Sequence, residues 1–204
     1  MDTSLVLHAE HGFNASTFTA RVVASTMSTC YCSISAAIGA LYGSLHGGAN
    51  EKVMDMVRAI GTRENVRPWL EAALARKEKV MGMGHREYRA KDPRSYIMER
   101  YLKELSERTG DTLYYDILKE VEKVFREKME EKGKPIYPNV DFFSGAVYTM
   151  LGVPTVLFTP VFAIARVSGW LAHILEQRLD NRIYRPKSLY SGPAVRTVKP
   201  IAIR

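Results

Sequence analysis

The chain has 204 residues and a formal net charge of +7, from 29 basic and 22 acidic side chains. A hydrophobic content of 46% predicts a soluble globular protein with a sizeable core, folded as one or two compact units. Because the basic residues form no continuous Lys/Arg block, no nucleic acid is expected as a partner, and a compact anionic ligand is favoured.

The N-terminal sequence "MDTSLVLHAEHGFNAS" lacks the basic region, apolar core and cleavage site of a targeting signal, which predicts a cytoplasmic protein. The following stretch, 14–41, is rich in Ala, Ser, Thr and Gly and predicts two closely packed helices in the core or at a subunit interface. Cys30 and Cys32 are two residues apart, so on a helix they point to different faces and make neither a redox pair nor a metal site. We expect both to be reduced core residues.

The stretch "GALYGSLHGGAN" contains three glycines, at 43, 47 and 48, that interrupt a helical pattern and enclose His46. Taken alone, this pattern is typical of a turn whose imidazole only satisfies backbone groups. The second interpretation is a break that presents a functional imidazole.

Helical periodicity dominates the middle of the chain. Apolar stripes in 53–60, 66–74 and 114–125 predict three amphipathic helices, the first ending at Gly61. Asp92 and Pro93 are typical of an N-cap and first residue of another helix. Because no sustained two-residue alternation occurs, the sequence predicts an all-α fold. These helices differ in composition from those on either side, which suggests an inserted or hinged smaller lobe.

The segment "KVMGMGHREYRAKDPR" places a second imidazole at a flexible break. Gly82 and Gly84 precede His85, and several guanidinium groups follow. The third glycine of a dinucleotide fingerprint is absent and no strand precedes it. Backbone N–H groups beside arginines instead indicate a site for phosphates or carboxylates.

Two charged residues stand in apolar surroundings further along. Asp141, in "YPNVDFFSG", is equally compatible with a carboxylate at a helix N-terminus and with a desolvated general base. Arg166 lies in the apolar helix predicted from Thr159 as N-cap and Pro160, and its charge requires an internal carboxylate or an anionic ligand. We expect this helix to be central, and too short and too interrupted by Arg166 and His173 to span a bilayer.

Five ordered motifs, "HAEHGFNASTFTARVVAST", "LHGGAN", "MGHREYRAKDPR", "PNVDFFSGAVY" and "TPVFAIARVSGWLAHILEQRLDNRIYRPKS", resemble the C-terminal half of citrate synthase of the bacterial and archaeal type. The resemblance covers essentially the whole chain. It implies an all-α fold in which 1–47 and 153–204 form part of a large domain, 48–152 forms an inserted smaller helical domain, and two chains make a homodimer.

The resemblance also implies an acyltransferase that condenses acetyl-CoA with oxaloacetate to give citrate and CoA. His46 would bind the thioester carbonyl while Asp141 removes a methyl proton, and His85 would polarise the ketone of oxaloacetate. Water would then hydrolyse citryl-CoA. No metal and no cofactor beyond the CoA thioester substrate is expected.

Further site residues follow from the same resemblance. The oxaloacetate-binding residues would be His11, Arg94 and Arg166, with Arg185 reaching the neighbouring subunit's site. The CoA-binding residues would be Val80, Met81, Gly82, Met83 and Gly84 against the adenine, Arg89 and Lys134 facing the phosphates, and Asn139. His8, three residues before His11, is a weak candidate for a metal pair because no third ligand is evident.

Two alternatives remain open at this point. A 2-methylcitrate synthase, which uses propionyl-CoA, would share every residue named above. A full citrate synthase is also nearly twice as long as this chain, so the second alternative is a non-catalytic helical module that binds CoA or pairs with another polypeptide. Without the missing helices, we expect apolar faces in 162–175 to be exposed.

Overall fold

A computed structural model describes residues 1–193, 198 and 200–203. Within this part of the chain every regular element is helical, and the only β-type contact is an isolated bridge between Met83 and Pro138. The predicted all-α fold is therefore confirmed.

The α-helices are α1 (Asp2–Ala9), α2 (Ala15–Ser25), α3 (Cys30–Tyr42), α4 (Ala49–Ile60), α5 (Val66–Ala75), α6 (Pro93–Thr109), α7 (Leu113–Glu130), α8 (Asp141–Met150) and α9 (Phe158–Leu179). Short 3-10 turns occupy Arg63–Asn65, Thr155–Leu157 and Ile201–Ile203.

Side-chain caps explain where several helices begin. The side chain of Asn14 accepts a hydrogen bond from the Thr17 amide at the start of α2, at 3.1 Å. Asp92 caps α6 as predicted, since its Oδ1 lies 2.9 Å from the Arg94 amide nitrogen. The predicted start of α9 is wrong: the helix begins at Phe158, and the buried Thr159 inside it donates its hydroxyl to Glu51 Oε1 at 2.7 Å.

The buried apolar side chains form two clusters. The first has members from Val53 to Phe158 and lies mainly between α4, α5, α6, α7 and α8. The second joins α2, α3 and α9 around Leu41, Trp170 and Ile174. The predicted domain division at 48 and 152 stays a prediction.

The expected core position is wrong for Cys32, which is exposed, whereas Cys30 is half-buried and packs against the second cluster. The reason is that α3 packs mainly on α2 and α9, and Cys32 lies on a face of α3 that is exposed. Tyr31 and Tyr42 on α3 are likewise exposed.

Helix α9 has a buried face and an exposed apolar face. Arg166 and Trp170 are buried, whereas Ile164 is 67% and Leu175 is 60% exposed, in line with the expected exposure of apolar faces. With its preceding turn the segment Thr155–Leu179 has 25 residues and contains an 18-residue window with a mean hydropathy of 1.5, enough to cross a membrane by length and composition alone. The expectation that it is too short is therefore wrong, although its inner face packs against protein.

We predict that Gly169→Ala destabilises the protein. A Cβ at Gly169 would collide with the carbonyl oxygen of Ala9 and approach Glu10 Cγ to 3.2 Å, so α9 would be forced away from the segment after α1. Overpacking of this kind lowers the free energy of unfolding by about 1–3 kcal/mol, measurable by urea denaturation.

Gly39→Ala is the matched control, because nothing lies within 4 Å of a Cβ built there on α3. We expect this variant to be unchanged or more stable by about 0.5–1 kcal/mol, since alanine favours helix over glycine. Equal stability of the two variants would contradict the packing argument.

Candidate active site

A cavity of about 960 Å³ brings together residues from widely separated parts of the chain. It is lined by segments 10–15, 45–46, 84–88 and 139–141, together with Ala49, Arg94, Phe162 and Arg166. Eight predicted site residues therefore share one cavity: His11, His46, Gly84, His85, Arg94, Asn139, Asp141 and Arg166.

The turn between α3 and α4 presents His46 to this cavity. The Gly47 amide donates to the Leu41 carbonyl at 2.8 Å, and a Cβ at Gly47 would lie 2.7 Å from that oxygen. Gly43 and Gly48 have negative φ angles, so close approach at Gly47, rather than left-handed backbone, is what requires glycine in this turn.

Ser16 sets the tautomer of His46. The Ser16 amide N–H donates to His46 Nε2 at 3.3 Å, and Ser16 Oγ lies 2.8 Å from the same nitrogen. Burial, followed by the nearby Arg166 charge, lowers the pKa of His46 to about 4, so the ring is neutral at pH 7. Because a backbone amide can only donate, Nε2 is the acceptor and the ring proton lies on Nδ1.

His85 has the opposite tautomer. Its Nδ1 accepts hydrogen bonds from the amides of Glu87 at 3.0 Å and Tyr88 at 3.3 Å, so the neutral ring carries its proton on Nε2. Burial, partly offset by Asp92, lowers its pKa. His46 and His85 are thus neutral imidazoles in one cavity, and each has one N–H group left to donate.

Asn139 connects the His85 loop to the start of α8. Its Nδ2 donates to the Gly84 carbonyl at 3.0 Å, while its Oδ1 accepts from the Asp141 amide at 3.0 Å. At Gly82, where φ is +74°, a Cβ would lie 2.8 Å from Phe142 Cα, so only glycine permits this approach. The loop and Asp141 are therefore held in one unit.

Asp141 lies at the N-terminus of α8 with an unpartnered oxygen. The residue is half-buried, but its Oδ1 is shielded from solvent and has no hydrogen-bond partner among the described residues. Burial raises the pKa of the carboxyl group to about 7, against the opposing effect of the Arg94 charge. A carboxylate of raised basicity is suited to proton abstraction near neutral pH.

Two guanidinium groups face the cavity. Arg166 is buried, its Nε donates to the His8 carbonyl at 2.6 Å, and no carboxylate among the described residues lies within ion-pair distance of it. Arg94 binds both oxygens of Asp92, at 3.1 and 2.7 Å. The positive charge at Arg166 is thus not neutralised by the protein, which is suited to an anionic ligand.

His11, His85 and Asp92 each place one ligand atom within 4.8 Å of the others, which is a spacing open to a metal ion. Both oxygens of Asp92 are already bound to Arg94, however, and burial together with the Arg94 charge lowers the pKa of His11 to about 4. A site this positive favours an anion over a cation. His8, the other weak metal candidate, is buried in α1 with Nδ1 donating to the Ser4 carbonyl at 2.8 Å.

Several predicted residues lie outside the cavity lining. Arg89, Lys134 and Arg185 are exposed, and none of them lines the cavity. Val80 is buried, and Met81 and Met83 pack against the first hydrophobic cluster. Their roles toward CoA or a neighbouring subunit stay predictions.

Three residues that support the site were not singled out from the sequence. Ser16 contacts His46 and accepts a hydrogen bond from Trp170 Nε1 at 3.1 Å, and Tyr88 Oη lies 2.9 Å from His11 Nε2. Ser16 stands in a run of small polar residues, so nothing in the sequence indicates that it contacts His46. Tyr88, three residues after His85, could have been suspected.

Comparison with known proteins identifies the family of this chain. Residues 1–187 match the family model described as citrate synthase, C-terminal domain. The chain is 54% identical over 94% of its length to a citrate synthase of Synechocystis sp., of which it covers 48%, and 46% identical over its full length to a 2-methylcitrate synthase of Shewanella oneidensis, of which it covers 53%.

A solved structure is also similar, that of Thermoplasma acidophilum citrate synthase in a ternary complex with carboxymethyl coenzyme A and oxaloacetate. The TM-score is 0.89 at 38% identity, over 98% of this chain and 54% of that one. The chain belongs to the citrate synthase family, and it spans about half the length of the curated relatives it matches.

We predict that Asp141→Asn makes stability less dependent on pH. Burial raises the pKa of Asp141 from its ordinary value of 3.8 to about 7 in the folded protein, so this group's contribution to stability is complete below pH 4 and is lost as the pH rises through 7. The variant should match wild type at pH 4 and exceed it at pH 8 by more than about 1 kcal/mol in urea unfolding, since one pKa unit corresponds to about 1.4 kcal/mol.

Asp180→Asn, at an exposed carboxyl group after α9, serves as the control and should show no such divergence. An Asp141→Asn variant that is less stable than wild type at pH 8 would contradict the assignment of a strained, buried carboxylate.

Proposed function

We propose that this member of the citrate synthase family carries the catalytic residues for condensing acetyl-CoA with oxaloacetate into citrate and CoA. The observation that carries the proposal is the pairing of opposite tautomers: His46 offers Nδ1–H and His85 offers Nε2–H within one cavity that also holds the unpartnered Asp141. Two carbonyl groups could therefore be polarised beside one base.

Oxaloacetate would bind through its two carboxylates. Arg166 supplies guanidinium N–H groups free of any carboxylate among the described residues, and Arg94 supplies a second guanidinium group. His11, neutral and next to His85, would add a hydrogen bond. The positive field of the arginines would attract the dianion and orient its ketone toward His85.

The first chemical step would be enolisation of acetyl-CoA. Asp141 takes a proton from the methyl group, and the electron pair of that C–H bond moves toward the thioester carbonyl. His46 Nδ1–H donates to the carbonyl oxygen as negative charge develops there. Since Ser16 fixes the ring through Nε2, the donor is already aimed before the reaction starts.

Condensation would follow. The enol carbon attacks the ketone carbon of oxaloacetate, and a C–C bond forms. The ketone oxygen accepts a hydrogen bond from His85 Nε2–H and then takes up that proton. Water then hydrolyses the thioester of citryl-CoA, releasing citrate and the free thiol of CoA. We propose that these steps need no metal or redox cofactor, because imidazole and guanidinium groups would polarise the reacting carbonyls, and C–C bond formation at the methyl carbon followed by thioester hydrolysis requires no external oxidant or reductant.

The remaining assignments belong to the same proposal. The exposed side chains of Arg89 and Lys134 would face the phosphates of CoA, and the glycines of the 82–84 loop would let its backbone approach the adenine. The exposed Arg185 would enter the site of a partner chain in a cytoplasmic homodimer.

A 2-methylcitrate synthase is the second candidate, favoured by the similarity to the Shewanella oneidensis protein. The reacting groups would be the same, and only the room beside the methyl carbon would differ. Relative rates of thiol release from acetyl-CoA and propionyl-CoA distinguish the two functions.

The proposal predicts thiol release from acetyl-CoA that requires oxaloacetate. His46→Ala should lower turnover on the order of 100-fold or more, because the developing oxyanion loses its donor. Asp141→Ala should abolish turnover while oxaloacetate binding, followed by calorimetry, stays largely intact. Arg166→Ala should instead weaken oxaloacetate binding first.

His8→Gln is the control for a substitution near the site, and its turnover should stay close to that of wild type. His8 is buried beside the site but does not line the cavity. Near-normal turnover by Asp141→Ala would show that the general-base assignment is wrong. Binding of CoA without any turnover by the wild-type chain would favour a non-catalytic helical module.

A further inference from the structure

Four charged side chains form a compact network beside the cavity but outside its lining. Lys91 pairs with Glu99 and, at 2.8 Å, with Glu122, while Lys119 pairs with the same two carboxylates at 2.6 and 2.5 Å. The side chains of Lys91 and Glu122 are 7% exposed, compared with 36% for Lys119. Two lysines therefore share two glutamates, and only one of the lysines is deeply buried.

Lys91 also lies against two aromatic rings. Its Nζ is 4.8 Å from the ring centre of Tyr96 and 5.0 Å from that of Phe143. An ammonium group is buried at a large desolvation penalty, which is offset only when several partners are held in place. The partners of Lys91 come from α6, α7 and α8, so this side chain ties the end of its own loop to three helices.

The His85 loop is anchored at two points. At its first end, the Gly84 amide donates to the Tyr137 carbonyl at 2.8 Å and its carbonyl accepts from Asn139. At its second end stand Lys91 and then Asp92, whose amide donates to the Pro138 carbonyl at 3.2 Å.

Between these ends the loop is held weakly. In the part of the chain that the structure describes, residues 85–90 make one hydrogen bond outside the loop, from Tyr88 to His11. The orientation of His85 therefore depends on how firmly the two ends are fixed. Arg94 depends on the second end as well, through its contact with Asp92.

We infer that Lys91 is a positioning residue: its ion pairs with α6 and α7 and its contact with Phe143 of α8 hold the second end of the loop so that His85 and Arg94 meet the same substrate. The inference rests on the proposed function. Displacement of a reacting or binding group by about 1 Å can reduce rates 100-fold, so an anchor outside the cavity can matter as much as a contact inside it.

Lys119 provides a matched comparison. Lys91→Met/Glu122→Gln and Lys119→Met/Glu122→Gln each leave one lysine and Glu99 in the network, with the same charge and no surplus carboxylate. They differ in whether the lysine that remains belongs to the loop. Each double variant removes one lysine and one carboxylate together. Lys91→Met alone would leave an uncompensated buried carboxylate, which could prevent folding.

Three quantities are measured on the full chain: hydrogen exchange of peptides covering 84–92, oxaloacetate affinity by calorimetry, and steady-state thiol release. For the Lys91 double variant we expect faster exchange in 84–92 and about tenfold or greater weakening of oxaloacetate affinity, with the KM for acetyl-CoA changed less than about twofold. The Lys119 double variant should stay within about twofold of wild type in all three measurements. Lys91→Arg, which keeps the cation, should lose less oxaloacetate affinity than the Lys91 double variant.

Equal behaviour of the two double variants would overturn the inference, because the network would then serve general stability only. The inference would also be overturned if the Lys91 double variant lost affinity for acetyl-CoA and for oxaloacetate to the same extent. If the wild-type chain neither binds oxaloacetate nor releases thiol, the proposed function fails, while the exchange comparison in 84–92 still decides whether Lys91 anchors the loop.

Discussion

The site depends on positive charge that the protein leaves unneutralised inside a cavity. Arg166 is buried, its only hydrogen-bond partner among the described residues is a backbone carbonyl, and its field reaches His11, His46 and Asp141. Together with burial, this field keeps the imidazoles uncharged at neutral pH. A neutral imidazole has one donor and one acceptor, so fixing the acceptor also fixes where the donor points. The same charge that selects an anionic ligand thereby determines what the histidines can do.

Backbone amides then assign the two donors. The Ser16 amide at the start of α2 occupies Nε2 of His46, and two amides of the loop itself occupy Nδ1 of His85. The remaining N–H group of each ring is a hydrogen-bond donor that the protein orients before any ligand binds. Donors oriented in advance are expected where negative charge develops during a reaction. Asp141 lines the same cavity, and Asn139 holds it to the loop that carries His85.

Close approach of backbones explains why glycines surround these groups. At Gly82 and Gly47 any side chain would overlap Phe142 or Leu41, and at Gly169 it would overlap the segment that leads to His11. Each of these glycines brings a helix or loop near enough for short hydrogen bonds across the site. The exposed apolar face of α9, which includes Ile164 and Leu175, packs on nothing among the described residues.

The sequence by itself determined the helical class, the amphipathic helices α4, α5 and α7, the cap at Asp92, and, through five ordered motifs, the family and eight residues of the cavity. Periodicity, capping and motifs are local properties, which is why they can be seen in one dimension. Only the tertiary structure decided that α9 begins at Phe158, that Cys32 is exposed, that Ser16 and Trp170 support His46, and that Lys91 is buried between two carboxylates. Those outcomes depend on which faces of distant helices meet, and hence on desolvation and hydrogen-bond partners that no local pattern specifies.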